Sequence, residues 1–124
     1  MKNNPLKIYI AAPYSAEAED ERLSNTKIAI DSAIELFQKG HYPYVPHLTH
    51  WVDGRVNEVG SKISWEGYME WHRPWLEVCD GLLYLGSSKG ADIELQMAKD
   101  LGKMIYYSIT EVPLSLLKRA IDKR

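Results

Sequence analysis

One cysteine, Cys79, stands in a chain of 124 residues. A lone thiol excludes an internal disulfide framework and points to a reducing compartment. Charge of one sign is missing as well. Fifteen Lys plus Arg against seventeen Asp plus Glu leave a formal charge of −2, so electrostatics give no case for nucleic acid or an anionic membrane as partner. No apolar run reaches the length of about 18 residues that a membrane span needs. The apolar stretch at residues 6–12 is interrupted by Lys7 and is too short for a signal peptide. It is expected to be the first strand of a cytoplasmic protein. Repeats, linkers and low-complexity tracts are absent. Gly86-Ser87-Ser88-Lys89-Gly90 lacks the Gly-Lys-Ser/Thr ending of a Walker loop, and Ala-Ala-Pro-Tyr-Ser after the first strand is no dinucleotide fingerprint. What is present is ordinary for one globular domain: 45% apolar and 26% charged residues. Residues 1–124 are read as a single domain.

Hydrophobic periodicity then orders the chain. Ile8, Tyr9 and Ile10, bounded by Pro5 and Pro13, suit a buried strand over residues 6–12. From Ala16 the period becomes helical, with Leu23, Thr26, Ile30, Ala33, Ile34 and Phe37 on one face. Acidic residues crowd the first turns, and Lys39-Gly40 closes the helix. A second strand is expected over residues 42–45, ended by Pro46. Residues 47–60 read as irregular, with Gly54 and Gly60 as breakers. Ser61 or Ser64 caps a third element running to about Val78, with Trp65, Trp71 and Trp75 on its apolar face. Pro74 predicts a break near Trp71–His72 or two abutting helices. Residues 80–85 form a third strand, 91–101 a helix stopped by Gly102, 103–107 a fourth strand and 113–122 a terminal helix. This alternation predicts an α/β fold: a single-domain, parallel-sheet three-layer sandwich, flavodoxin-like or Rossmann-like. Ligands in such folds sit beyond the carboxyl ends of the strands. The loops at residues 13–15, 46–54 and 86–90 are therefore the ones to watch.

Glu94 is the anomaly. With Glu94 at zero on a helical wheel, Leu101 falls at roughly −20°, Ala98 at +40°, Ala91 at +60° and Met97 at −60°. The stripe that must face the sheet has a carboxylate at its centre. Burying it unpaired costs several kcal/mol, so it is partnered, protonated or at a cavity. A carboxylate aimed into a ligand crevice suits a nucleophile or general base. A Glu capping loop amides, or paired with a Lys or Arg, is the other reading. The small-residue loop before it is either a phosphate cradle or a tight β-to-α turn.

Three motifs resemble the nucleoside 2-deoxyribosyltransferase-like superfamily, which includes 2′-deoxynucleoside 5′-monophosphate N-glycosidases. They are Lys7-Ile8-Tyr9-Ile10-Ala11-Ala12-Pro13-Tyr14-Ser15, Cys79-Asp80-Gly81-Leu82-Leu83-Tyr84-Leu85, and Ser88-Lys89-Gly90-Ala91-Asp92-Ile93-Glu94-Leu95. Tyr44-Val45-Pro46 is a softer match. The resemblance implies that Glu94 is a nucleophile attacking the anomeric carbon of a (deoxy)ribose, and that Tyr9 positions it. It implies that Ser88, Ser15 and the amides around Gly90 contact a 5′-phosphate. The loop after the second strand is expected to line the base pocket, with His47 as a contact and Tyr14 or Trp51 for stacking, and Asp92 is a further expected substrate contact. Serine six residues before the nucleophile favours a 5′-monophosphate over a nucleoside. The family's acid for the departing base falls at position 72, where this chain has His72. A protonated imidazole could donate there. Glu70 could substitute, or the acid is missing and the protein hydrolyses slowly or only binds. Base exchange between nucleosides is the second enzymatic expectation. No cofactor is expected. His47 and His50 are too few ligands for a metal site. The resemblance also implies a homodimer or larger homo-oligomer, for which the aromatic-rich third element is the expected surface.

Overall fold

A computed structural model describes residues 4–118 of the chain. Strand β1 (Lys7–Ala11) is followed by α1 (Glu19–Gln38), β2 (Tyr42–Tyr44) and a 3-10 turn, Pro46–Leu48. Next come α2 (Thr49–Glu58), α3 (Trp65–Val78), β3 (Gly81–Tyr84), α4 (Lys89–Asp100), β4 (Met104–Tyr106) and a 3-10 turn, Ile109–Glu111. The four strands form one parallel sheet in the order β2-β1-β3-β4. Tyr9 lies between Tyr44 and Leu82 in register.

Period-2 alternation assigns the two faces of the sheet. Ile8, Ile10 and Leu83 pack with Ala29, Ala33 and Leu36 of α1. Tyr9, Ala11 and Leu82 pack on the other face with Leu76 of α3 and Ala91 and Ala98 of α4. The result is the expected three-layer α/β fold. Right-handed crossovers explain the distribution of helices. The chain moves one way from β1 to β2 and the other way from β2 to β3 and β3 to β4, so α1 takes one face while α3 and α4 take the other. Each fully buried Ile or Leu in these layers contributes roughly 1.5–3 kcal/mol.

The helix ends follow from local chemistry. Gly40 has φ 95°. Its N–H bonds the Phe37 carbonyl while the His41 N–H bonds that of Leu36, the paired closure that a left-handed residue permits. Ser64 caps α3 by accepting from the Gly67 N–H at 3.0 Å. Ser88 caps α4 by accepting from the Ala91 N–H at 3.1 Å.

Several expectations are corrected. Residues 49–58, read as irregular, form α2. Gly54 sits inside it, and Gly60 (φ 75°) is its stop rather than a breaker of loop. Pro74 does not divide α3. Pro74 and Glu70, whose carbonyl loses its helical partner, are both exposed, so water can satisfy that oxygen. Residues 113–118 hold no helix. Instead they pin the chain back onto α1. The His41 Nδ1 accepts the Leu6 N–H at 3.0 Å, so its Nε2 donates to the Pro113 carbonyl at 2.6 Å. The Ser115 hydroxyl donates to the Gly40 carbonyl at 2.7 Å. The remainder of the expected terminal helix, residues 119–122, lies outside the described residues. No helix among the described residues is long and apolar enough to cross a membrane.

Candidate active site

The sheet order places a switch point between β1 and β3, where the chain leaves the two carboxyl ends in opposite directions. A cavity of about 600 Å³ opens there. The loop after β1 supplies Ala12, Tyr14 and Ser15 to its wall. The turn after β2 supplies Pro46 and His47, and the start of α4 supplies Ser88, Lys89, Gly90 and Glu94. Helix α3 adds Trp65, Tyr68, Met69 and His72, and α2 adds Thr49 and Asp53.

Glu94 sits at the floor. It is 7% exposed, and it has no cationic partner among the described residues. Its Oε2 accepts the hydroxyl of Tyr9, a side chain with no exposure at all. Strand alternation explains the pairing: Tyr9 points to the α4 face, where the first turns of α4 cross above it. Burial pushes the Glu94 carboxyl up to about 7, against the opposing pull of the Tyr9 hydrogen bond. The reading of Glu94 as half of a buried ion pair is therefore not met, nor does it cap the loop; Ser88 does that.

His72 is buried at the cavity wall, with its Nδ1 3.1 Å from the Tyr44 hydroxyl. Burial, helped by His47 nearby, lowers its imidazole to about 4. It is neutral at pH 7, so the imidazolium expected at this position is not stored there. His47 donates from Nε2 to the Ala12 carbonyl at 3.0 Å, and its buried Nδ1 has no partner among the described residues. Burial also lowers the His47 pKa. Tyr9, Tyr44 and Trp75 stack in a column, with centroid separations of 5.3 and 5.7 Å.

Seven of the nine sequence-predicted residues, namely Glu94, His72, Ser88, Gly90, Ser15, Tyr14 and His47, line this cavity, and Tyr9 lies directly behind Glu94. Asp92 does not belong. It is exposed and accepts the Tyr84 and Ser87 hydroxyls at 2.7 Å each, bracing the turn from β3 into α4. Two residues before Glu94, it lies on roughly the opposite side of the helix, and its carboxylate stays on that outer side. Glu70 does not line this cavity either. Trp51 is 52% exposed and also lies off it. Gly90 has a purpose in the wall: a Cβ there would stand 3.6 Å from the Met69 sulfur and 3.8 Å from the Trp65 ring, taking up cavity space.

Sequence reasoning missed Trp65, Tyr68, Asp53 and Arg22. The Tyr68 hydroxyl donates to Asp53 at 2.7 Å across the gap between α3 and α2. Lys89 holds its ammonium 4.5 Å from the Trp65 ring centre. Arg22 donates to the Ala16 and Glu17 carbonyls and pairs with Glu19 at 2.9 Å, bracing the loop after β1. The helical period of residues 65–78 was the available signal for Trp65 and Tyr68. No pattern foretold the pairing with Asp53, which sat in a stretch read as irregular. Among the described residues no group of His, Cys, Asp and Glu could hold a metal ion.

Residues 6–107 match a family described as a domain of unknown function, DUF4406, and the chain belongs to that family. No curated protein matches the chain.

Proposed function

We propose that this chain hydrolyses the N-glycosidic bond of (deoxy)nucleoside 5′-monophosphates through a covalent glycosyl-Glu94 intermediate. The observation that carries this reading is a buried carboxylate facing an open cavity of about 600 Å³, tied to a tyrosine hydroxyl and to no cation. A group kept that way is stabilised for chemistry rather than for the fold. The volume falls in the range of small-molecule sites. Ionised Glu94 would attack C1′ as the base departs through an oxocarbenium-like transition state, and water would then release the sugar phosphate. Tyr9 would fix the carboxylate's orientation. Ser88, Ser15 and the amides at the start of α4 would receive the phosphate, where the helix end favours an anion. Tyr14, His47, His72 and Trp65 would enclose the base.

The neutral state of His72 supports one second reading, a nucleotide-binding module with little or no turnover. Incubating the protein with each of the four dNMPs, and detecting free base, separates the two. Base release that disappears in Glu94→Ala is the expected result. Release that needs an added acceptor base identifies a base-exchange enzyme. Tight dNMP binding without base release, between roughly pH 5 and pH 8, would leave the binding module.

A further inference from the structure

Glu94 accounts for the bond that would form, but a departing base also needs a proton. His72 has its Nδ1 engaged by the Tyr44 hydroxyl, a phenol that burial pushes up to about 12, and has no carboxylate hydrogen-bond partner among the described residues. Of the carboxylates in the wall besides Glu94, Asp53 is the acceptor of the Tyr68 hydroxyl, and Glu66 is exposed in the first turn of α3.

A different chain of groups runs from the cavity to bulk water. Tyr14 lines the cavity. Its hydroxyl is 2.9 Å from His50 Nδ1. His50 Nε2 is 3.2 Å from Glu19 Oε1, with the histidine side chain 8% exposed and the glutamate 70% exposed. The parts are held in place. Asn25 donates to the Tyr14 carbonyl at 3.1 Å. The Tyr14 ring meets the His47 and His50 rings edge-on, at 6.0 and 5.8 Å. Arg22 grips the other oxygen of Glu19. We propose that Tyr14 is the proton donor to the departing base, and that His50 and Glu19 are positioning residues, His50 returning the Tyr14 proton and Glu19 holding His50 in place. This assignment rests on the N-glycosidase reading above.

The hydrogen-bond roles permit the step. When His50 is neutral, with Nε2–H toward Glu19, Nδ1 accepts the tyrosine proton. When His50 is an imidazolium, Nδ1–H donates to the Tyr14 oxygen, and the tyrosine's own O–H is freed for the cavity. Arg22, Asp53 and His47 are the other ionisable groups around the relay. In the reaction the Glu94 carboxylate oxygen forms the bond to C1′, and the C1′–N bond breaks with its electron pair going to the base. The base takes the Tyr14 hydroxyl proton. The Tyr14 oxygen takes the Nδ1 proton of His50, leaving a neutral imidazole, a neutral phenol and a neutral base. When water attacks C1′ of the glycosyl-Glu94, the C1′–O bond breaks with its electron pair returning to the carboxylate, and the water's proton passes to the Tyr14 oxygen. The Tyr14 hydroxyl proton returns to His50 Nδ1, which restores the imidazolium while Nε2–H stays on Glu19.

The test compares two leaving groups on one 2-deoxyribose 5-phosphate. One is the natural base that the wild type cleaves fastest. The other is 4-nitrophenol, whose anion leaves without a proton. Tyr14→Phe and His50→Gln are both assayed, the second serving if the first disturbs packing. The expected result is a fall in kcat of about 100-fold or more on the natural base, with KM nearly unchanged and 4-nitrophenol release nearly spared. Equal losses on both leaving groups, or a loss confined to KM, overturns the assignment while the N-glycosidase reading stands. A wild type that cleaves no dNMP removes that reading, and the assignment with it.

Discussion

At the scale of the residue, Glu94 carries two opposed demands. Its carboxyl titrates near 7 when folded against an ordinary value of 4.5. The folded protein therefore holds a proton on it between those values that the unfolded chain has released. Stability conferred by this site is present in acid and is lost as pH rises through about 7, by an amount on the order of 3 kcal/mol. Glu94→Gln keeps an acceptor for the Tyr9 hydroxyl and removes the ionisable group. It is expected to raise stability by up to about 3 kcal/mol above pH 8, read by urea unfolding, and to abolish base release. In the wild type, kcat/KM should climb with pH through a limb near 7 as Glu94 ionises. A profile flat from pH 5 to 8 would remove Glu94 from the nucleophile's role. Cys79, by contrast, is a buried thiol pushed up to about 11 by desolvation, and it is expected to be inert to thiol reagents in the native state.

At the scale of the element, the closures of the helices matter more than their propensities. Gly40 is the strictest case. Its φ of 95° is strained for any side chain, and a Cβ would stand 1.9 Å from the Ser115 hydroxyl and 2.7 Å from the Leu117 backbone. Gly40→Ala should cost more than about 2 kcal/mol and release the segment at residues 113–118, seen as a lowered Tm and faster exchange of the Ser115 amide. The contrast between legible and illegible elements has a local cause. The stop at Gly40, the cap at Ser64 and the carboxylate on the apolar stripe of α4 are set by neighbours within a turn or two, and the sequence displays them. Helix α2 buries no residue, so it shows no apolar stripe, and Gly54 inside it and Gly60 after it read as loop. The strap at residues 113–118 has helical periodicity but is held by His41, Gly40 and the Lys39 carbonyl, more than 70 residues away. Asp53 and Tyr68 likewise meet only because α2 and α3 flank one cavity. Long-range partners of this kind leave no periodic trace.

At the scale of the whole molecule, the cavity groups push acid stability in opposite directions. Burial lowers His47 and His72, the latter from 6.5 to about 4. The unfolded chain thus binds protons below 6.5 that the native state refuses, and stability falls as pH drops. Glu94 acts with the reverse sign over 4.5 to about 7. Between about pH 5 and 6 the glutamate offsets His72. Glu94→Gln should therefore lose stability with acid more steeply than the wild type, by about 1.4 kcal/mol per pH unit. Parallel curves from urea titrations at stepped pH would refute the offset. One wall of the same cavity has a further consequence. Helix α2 supplies Thr49 and Asp53 to the site and has no buried residue, with only the His50 side chain turned inward. Polar contacts of Asp53 with Tyr68 and of His50 with Tyr14 and Glu19 fasten it. Swinging such a piece outward exposes little oil to water, so its amides should swap deuterium well ahead of those in α1. The doorway to the cavity is then the part of the protein that unlatches while the layered sheet behind it stays shut.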